Sequence, residues 1–100
     1  MDQEQSGGWV YIMANRYRGT IYVGVTSDLA SRIAQHRDRK GSAFCAEHGL
    51  TQLVWAEFMQ PIDEAIAHEK RLKRWRREWK LELIEKVNPD WRDLFDDLNR

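Results

Sequence analysis

Residues 9–25 read WVYIMANRYRGTIYVGV. The runs at residues 9–14 and 20–25 are short, apolar and rich in Val, Ile and Tyr, which is the composition of β-strands. The connector between them is polar and contains Gly19, so a hairpin is the natural join. This stretch therefore predicts two antiparallel strands, each of which carries a tyrosine.

The register of this hairpin decides whether its two strand tyrosines, Tyr11 and Tyr22, meet. We predict a register in which Tyr11 pairs with Tyr22 and Trp9 pairs with Gly24, on one face of the sheet. A glycine inside a strand often marks a place where another group approaches the backbone closely. Ordinary half-buried packing would also explain two strand tyrosines, and a slip of one residue would separate them.

Capping and breaking residues divide the rest of the chain into elements. Asp28 supplies N-cap chemistry, Pro61 suits the opening of a helix, and Asn88-Pro89 ends one. The apolar run at residues 53–58 predicts a third strand, which we expect in the centre of the sheet. The predicted helices cover residues 28–40, 61–75, 77–87 and 90–95, with an ambiguous helical turn at 43–49.

The order β-β-α-β-α-α predicts an α+β fold, in which a small three-stranded antiparallel sheet is flanked by helices. A chain of 100 residues allows one domain with a core of its own. We expect that domain at residues 9–95, a disordered polar leader at residues 1–8 and a tail at residues 96–100.

Composition excludes several classes of protein. No apolar run reaches the length of a membrane span, and residues 1–8 lack the layout of a signal peptide. Cys45 is the single cysteine, which excludes an internal disulfide and favours a reducing cytoplasm as the location. Cys45, His48 and His68 do not have the spacing of zinc ligands, so no zinc site is expected.

Charge is unevenly distributed, although the net charge is zero. Residues 69–80 carry seven basic residues against two acidic ones, a balance of +5, and residues 82–100 carry three against six, a balance of −3. The basic segment could hold a polyanion, but a solvated helix face is the commoner explanation. Trp75 and Trp79 within it could stack on bases, although core packing is the commoner use of such a pair.

Glu69 is the single residue whose position most strongly indicates a functional or ion-paired group. It lies about 20° from Ile62 on the helical wheel, within an apolar stripe. A lone carboxylate on an apolar face costs several kcal/mol unless it is paired or bound to a cation. Metal binding or acid–base chemistry is one interpretation, and a buried ion pair with an arginine is the other. The predicted stripe consists of Ile62, Ala65, Ile66 and Leu72.

The predicted helix over residues 28–40 also carries polar residues next to its apolar face. Arg32 and His36 lie together on one border of its core face, where the helix should meet the sheet. An exposed pair is an equally open interpretation of this helix alone. The predicted core face consists of Leu29, Ala30, Ile33 and Ala34.

Five polar groups together suggest phosphodiester chemistry. Hydrolysis of a phosphodiester needs a cation to neutralise developing charge, a group that takes the proton from water and often a divalent ion. The pKa of a free tyrosine is about 10, so a phenol that acts as a base needs positive charge or hydrogen bonding nearby. One carboxylate is a suitable Mg²⁺ anchor, since magnesium keeps several waters. The five groups are Tyr11, Tyr22, Arg32, His36 and Glu69.

These residues resemble the GIY-YIG endonuclease superfamily, specifically its small stand-alone bacterial branch. Val10-Tyr11 is similar to the first motif of the superfamily, and Tyr22-Val23-Gly24 is similar to the second. Position 9 holds Trp where the superfamily name has Gly. The resemblance covers residues 9–95. The further matching segments are residues 26–29 with Arg32 and His36, residues 69–75 with the family's metal-binding glutamate, and the closing motif at residues 88–91.

The resemblance implies a role for each of the five groups. Tyr22 would be the general base or would orient the attacking water, and Tyr11 would hold that water or the phosphate and share the proton transfer with His36. Arg32 would stabilise the pentacovalent phosphate. Glu69 would hold one divalent ion, Mg²⁺ or Mn²⁺.

The resemblance also implies contacts with a nucleic acid. Asn88 would help to position the phosphate, and the basic segment would grip the backbone of DNA, the expected partner, although the sequence does not distinguish DNA from RNA. We expect sequence specificity to be low, to come from a protein partner, or to depend on a damaged or branched structure. The basic residues implied in binding are Lys70, Arg71, Lys73, Arg74, Arg76 and Arg77.

The leading functional prediction is a metal-dependent endonuclease that hydrolyses DNA phosphodiester bonds. The alternative is a non-cleaving nucleic-acid-binding module of the same fold. A third interpretation is a domain whose polar residues are structural. The presence of both Glu69 and Arg32 argues against a decayed site, because loss of either would be its expected sign.

Overall fold

The computed structural model of the chain describes residues 7–98. Among them, three strands form one antiparallel sheet: β1 (Gly8–Ala14), β2 (Ile21–Thr26) and β3 (Gln52–Met59). The strand order is β2-β1-β3, so the expectation of a central third strand is wrong. β1 takes the central place because it is apolar on both faces, and residues 10–14 are all fully buried.

The hairpin register differs from the prediction by two residues. Tyr11 pairs with Gly24, and Met13 pairs with Tyr22, so the predicted pairing of the two tyrosines is wrong. A shift of two residues keeps every side chain on its predicted face. The rings of Tyr11 and Tyr22 have centroids 6.5 Å apart, and their shared face is confirmed.

Gly24 gives a physical reason for the observed register. A Cβ atom at this position would lie 2.5 Å from both Cζ and Oη of Tyr11, which is too close for any side chain. The phenol ring therefore lies against bare backbone, as a glycine within a strand permits. Trp9, the predicted partner of Gly24, pairs with Thr26 instead.

The described residues contain five helices, most of them near their predicted positions. Ser42 caps the segment that was ambiguous in the sequence, and Gly49 ends it with a φ of 67°, so this segment is helical. The last helix begins at Phe95 and not at residue 90, because Trp91 has a φ of 59° and a buried ring. The helices are α1 (Leu29–Arg37), α2 (Ala43–His48), α3 (Ile62–Arg74), α4 (Arg77–Val87) and α5 (Phe95–Leu98).

Each face of the sheet carries its own apolar cluster, because side chains alternate along β1. One cluster contains Val10, Ile12 and Ala14 with Leu72 of α3 and Ile84 of α4. The other contains Tyr11 and Met13 with Leu29 and Ile33 of α1 and Cys45 of α2. The tyrosines thus lie on the face that α1 and α2 cover.

The ends of the described region bear on the expected domain limits. Residues 1–6 of the expected leader lie outside the described residues, and Gly8 already belongs to β1. The expected tail overlaps α5, which extends to Leu98, and residues 99–100 lie outside the described residues. Among residues 7–98, no helix has both the length and the apolar character that crossing a membrane requires.

Candidate active site

Helix α1 turns a histidine into the sheet. Its buried residues are Leu29, Ile33 and His36, which recur at the spacing of one helical face. Ala30 and Ala34, which were predicted on that face, are exposed. His36 therefore belongs to the buried face of α1 and not to its border, and the interpretation as an exposed pair does not hold for it.

Tyr11 and His36 form a buried hydrogen-bonded pair. Oη of Tyr11 lies 2.9 Å from Nε2 of His36, and the two residues are 0% and 1% exposed. Burial raises the pKa of Tyr11 to about 12, although nearby Arg32 opposes the rise. Burial, assisted by the charge of Arg32, lowers the pKa of His36. Both groups are therefore neutral at about pH 7, and their hydrogen bond offers a path for one proton.

Tyr22 is the half-buried member of this aromatic cluster. Its ring centroid lies 5.8 Å from that of His36 and 6.5 Å from that of Tyr11. On its other side, Phe44 of α2 stacks on it with a centroid distance of 6.2 Å. Tyr22 has more access to solvent than Tyr11, which is fully buried. Of the two phenols, it is the one that a substrate can reach directly.

Arg32 places a positive charge beside the cluster. Its Nη1 donates to Oε1 of Gln35 at 3.1 Å, and its buried Nε makes no hydrogen bond to any residue between 7 and 98. Its charge contributes to the lowered pKa of His36. A buried donor without a partner is unusual, and Arg32, which opposes the rise in the pKa of Tyr11, keeps this Nε–H available for an anion.

Glu69 is buried on α3, as the sequence predicts. The buried residues of this helix are Ala65, Glu69 and Leu72, whereas Ile66 of the predicted stripe is 37% exposed. The carboxylate forms an ion pair, but its partner is Lys73 and not the arginine that was considered. Nζ of Lys73 lies 2.6 Å from Oε2 of Glu69.

Lys73 joins this carboxylate to the aromatic cluster. Its ammonium lies 5.8 Å from the ring centroid of Tyr22, so one side chain contacts groups from α3 and β2. The hydrogen bond with Glu69 is the main cause of a raised Lys73 pKa. This role of Lys73 was not predicted from the sequence, although its position four residues after Glu69 is the spacing of helical ion pairs. Phe44, also missed, had no comparable signal.

Asn88 lies apart from these groups. Its Nδ2 donates to the carbonyl oxygens of Val54 and Arg92 at 3.0 and 2.9 Å, and its Oδ1 accepts from the Arg92 N–H at 3.1 Å. All of these bonds hold the end of α4 against β3 and the following loop. The structure therefore does not bring Asn88 to the tyrosines.

The basic segment divides into two groups of residues. Lys73 and Arg77 make contacts within the fold: Arg77 Nη2 donates to the carbonyl oxygens of Arg18 and Gly19 at 2.7 Å each and so holds the hairpin turn. Trp75 and Trp79 pack edge to face and line an open groove of about 300 Å³. The four other predicted binding residues lie on α3 or just after it and, like Lys73 and Arg77, are exposed. Of these, Arg71 Nη2 lies 3.2 Å from His68 Nδ1, and the Arg76 guanidinium lies 5.5 Å from the ring centroid of Trp79. The four are Lys70, Arg71, Arg74 and Arg76.

The donor set suits a cation that keeps most of its waters. Within residues 7–98, no group of three or more His, Cys, Asp or Glu side chains could hold a metal ion. Among residues 7–98, Glu69 is the one buried carboxylate, and Lys73 links it to the Tyr22 ring. Magnesium is bound in many sites by one or two carboxylates together with waters and substrate phosphates, so a single glutamate fits this ion.

Comparisons with known proteins identify a family for the chain. The family model of the GIY-YIG catalytic domain matches residues 7–82, a range that contains both tyrosines, Arg32, His36, Glu69 and Lys73 but not Asn88. This family implies a nuclease type of function and, in general, a divalent metal. No solved structure shows a significant match.

Curated relatives carry the name UPF0213 protein, which states no activity. The relative from Aeromonas salmonicida is 30% identical over 88% of this chain, and this chain spans 64% of its length. SSP2268 from Staphylococcus saprophyticus is 30% identical over 76% of this chain and 92% of its own length. SH2523 from Staphylococcus haemolyticus is 31% identical over 77% and 93%. The domain match and these relatives show that the chain belongs to the GIY-YIG family.

Proposed function

We propose that this protein is a metal-dependent endonuclease that hydrolyses DNA phosphodiester bonds. The observation that carries the proposal is the Tyr11–His36 hydrogen bond, which lies beside a more accessible Tyr22 and a partly unsatisfied Arg32. A neutral phenol–imidazole pair can accept a proton and pass it on. A guanidinium with a free donor can stabilise the charge that develops on phosphate.

In the proposed reaction, Tyr22 orients the attacking water, or takes its proton as its own hydroxyl proton passes to the Tyr11–His36 pair. Tyr11 and His36 form the relay behind it, since their side chains are hydrogen-bonded and buried. Arg32 binds the phosphate as negative charge accumulates. Glu69 would hold one Mg²⁺ or Mn²⁺ ion, which supplies Lewis-acid stabilisation of the leaving oxygen when it is bound.

The exposed basic residues of α3 and the adjoining turn would hold the nucleic-acid backbone. Four cations on one segment supply charge complementarity without reading bases, so the proposal includes DNA as substrate but assigns no sequence preference. Targeting would then come from substrate structure or from a protein partner. Asn88 is proposed to act as a structural cap, because its side-chain bonds serve the fold.

A plasmid assay tests the proposed function. Purified protein incubated with supercoiled plasmid should nick it in Mg²⁺ or Mn²⁺ and leave it intact in EDTA. Tyr22→Phe, which removes one hydroxyl from a half-buried ring, should reduce nicking by at least about 100-fold. Tyr17→Phe, on an exposed tyrosine of the hairpin turn, is the matched control and should nick like the wild type.

The non-cleaving module remains the second candidate, and one observation favours it: Lys73 already occupies the Glu69 carboxylate. A binding module would retain plasmid in a gel shift that weakens steeply with salt, but it would give no nicked product with either ion. That result would contradict the endonuclease proposal.

A further inference from the structure

The Glu69 carboxylate has a cation beside it in the structure. Its side chain is 10% exposed and pairs with Lys73 Nζ at 2.6 Å, while the lysine side chain itself is 50% exposed. An ionised, buried carboxylate without a positive partner is costly, so a cation beside Glu69 stabilises its charged form. Lys73 supplies that charge when no divalent ion is bound.

The same ammonium lies near the proposed phosphate position. Its distance to the ring centroid of Tyr22 is 5.8 Å, on the side of the cluster that substrate can reach. A lysine ammonium ends a flexible four-carbon stem, so a small change of rotamer moves it between a carboxylate and a neighbouring anion. Lys73 can therefore serve the Glu69 carboxylate and an anion bound near Tyr22 in turn.

We propose that Lys73 is a displaceable counter-ion: it holds the place of the divalent ion at Glu69 and moves to the substrate phosphate when that ion binds. This inference rests on the proposed function. It changes the role of Lys73 from general backbone binding to a positioning residue that couples two ligands. The matched lysine for comparison is Lys70, which is exposed three residues earlier on the same helix.

The coupling follows from electrostatics. A divalent ion and an ammonium beside the same carboxylate repel each other, so Lys73 weakens ion binding in the absence of substrate. A phosphate gives the displaced ammonium a new anionic partner and removes that cost. By thermodynamic reciprocity, DNA then raises the affinity for the ion, and the ion raises the affinity for DNA.

Direct measurement of Mn²⁺ binding tests this inference without any cleavage. Electron paramagnetic resonance would follow free Mn²⁺ during titration of the full chain without nucleic acid. Lys73→Met should bind Mn²⁺ about two- to fivefold more tightly than the wild type, the range expected when a half-exposed ion-pair partner is removed. Lys70→Met and Lys73→Arg should bind like the wild type. Equal or weaker binding by Lys73→Met would overturn the proposal.

A further variant separates this inference from the proposed function. Glu69→Gln should lose Mn²⁺ binding; if it binds like the wild type, the metal assignment of the proposed function fails. If Glu69→Gln loses the ion and Lys73→Met shows no gain, the role of Lys73 alone fails. The melting temperature of Lys73→Met should fall in EDTA and recover with Mn²⁺ by a larger margin than that of the wild type, which would also reveal a folding defect.

The coupling has its own readout. A nuclease-resistant phosphorothioate duplex should increase the Mn²⁺ affinity of the wild type more than that of Lys73→Met, because only the wild type has an ammonium to displace. Equal increases in the two proteins would contradict the coupling.

Discussion

Burial sets the protonation states of individual residues in the site. Tyr11 and His36 both lie within the fold and share a hydrogen bond, so each is held in its neutral form. Arg32 adds a permanent charge next to them, and Glu69 receives its counter-charge from Lys73. The groups of the site therefore come in pairs. A single substitution should leave the remaining partner without its hydrogen bond or its counter-charge.

The lowered pKa of His36 makes stability depend on pH. Its ordinary pKa is about 6.5, and the unfolded chain binds more protons than the folded one below that value. The free energy of unfolding should therefore decrease as the pH falls through about 6.5. Urea denaturation from pH 7.5 to about pH 5 measures this slope.

His36→Gln serves as the comparison for that experiment. It removes the titrating group, so its stability should show a shallower decrease over the same pH range. Identical pH slopes in the two proteins would show that His36 does not titrate below its ordinary range, contrary to this account.

The raised pKa of Tyr11 also makes stability depend on pH, but for this group stability decreases as the pH rises. The free phenol ionises at about pH 10, but the folded one ionises at about pH 12, so the unfolded chain loses its proton first. Stability from this group is complete below pH 10 and is lost as the pH rises towards 12. Absorbance at the tyrosinate band should show one tyrosine that ionises only near unfolding, and its absence in Tyr11→Phe identifies it.

Gly24 and Tyr11 should be energetically coupled. Gly24→Ala places a methyl group 2.5 Å from the Tyr11 ring and should destabilise the protein by about 1–3 kcal/mol, the usual cost of overpacking. In a Tyr11→Ala background the same substitution should cost far less, because the ring is gone. A double-mutant cycle from urea unfolding measures the coupling, and additive effects would contradict the observed register.

At the scale of the elements, helix positions could be predicted because caps and breakers act locally. Asp28 and Gly49 mark helix ends, and the burial of Glu69 follows from the periodicity of α3. The hairpin register could not be predicted, since a shift of two residues preserves the same faces. The burial of His36 could not be predicted either, because Ala30 and Ala34 gave α1 an equally apolar alternative as its core face.

Asn88 connects two elements, because its side chain at the end of α4 donates a hydrogen bond to β3. Asn88→Ala should lower the free energy of unfolding by about 1–3 kcal/mol, since the buried Val54 carbonyl loses its donor. Nicking activity per folded molecule should stay at the wild-type level at a temperature where the variant is folded. Asp90→Ala, on an exposed neighbour, controls for changes in the loop. A loss of activity without a loss of stability would restore the catalytic role implied by the family resemblance.

At the scale of the whole molecule, the uneven distribution of charge determines where a polyanion is attracted, because the net charge is zero. The chain is neutral, yet residues 69–80 carry a balance of +5 and residues 82–100 a balance of −3. A polyanion is therefore attracted to one part of the surface and repelled by another, which orients it relative to the tyrosine cluster. The sequence revealed this asymmetry, but only the structure shows that Arg77 and Lys73 are engaged within the fold.

The exposed members of the basic segment should control the salt dependence of DNA binding. Arg74→Gln should weaken binding to duplex DNA at all sequences alike and reduce the slope of log affinity against log salt by about one. Arg92→Gln, in the acidic segment, should leave the slope unchanged. Fluorescence anisotropy with a labelled duplex over a range of salt concentrations measures both, and equal slopes for the two variants would remove the basic segment from the interface.

The central claim is that Glu69 and the tyrosine cluster form one metal-dependent cleavage site. The most direct measurement is the rate of supercoiled-plasmid nicking in Mg²⁺ by the wild type, Glu69→Gln and Glu64→Gln, which changes an exposed carboxylate on the same helix. We predict that Glu69→Gln loses at least about 100-fold in rate while remaining folded, and that Glu64→Gln cleaves like the wild type. Nicking by folded Glu69→Gln at the wild-type rate would contradict the claim.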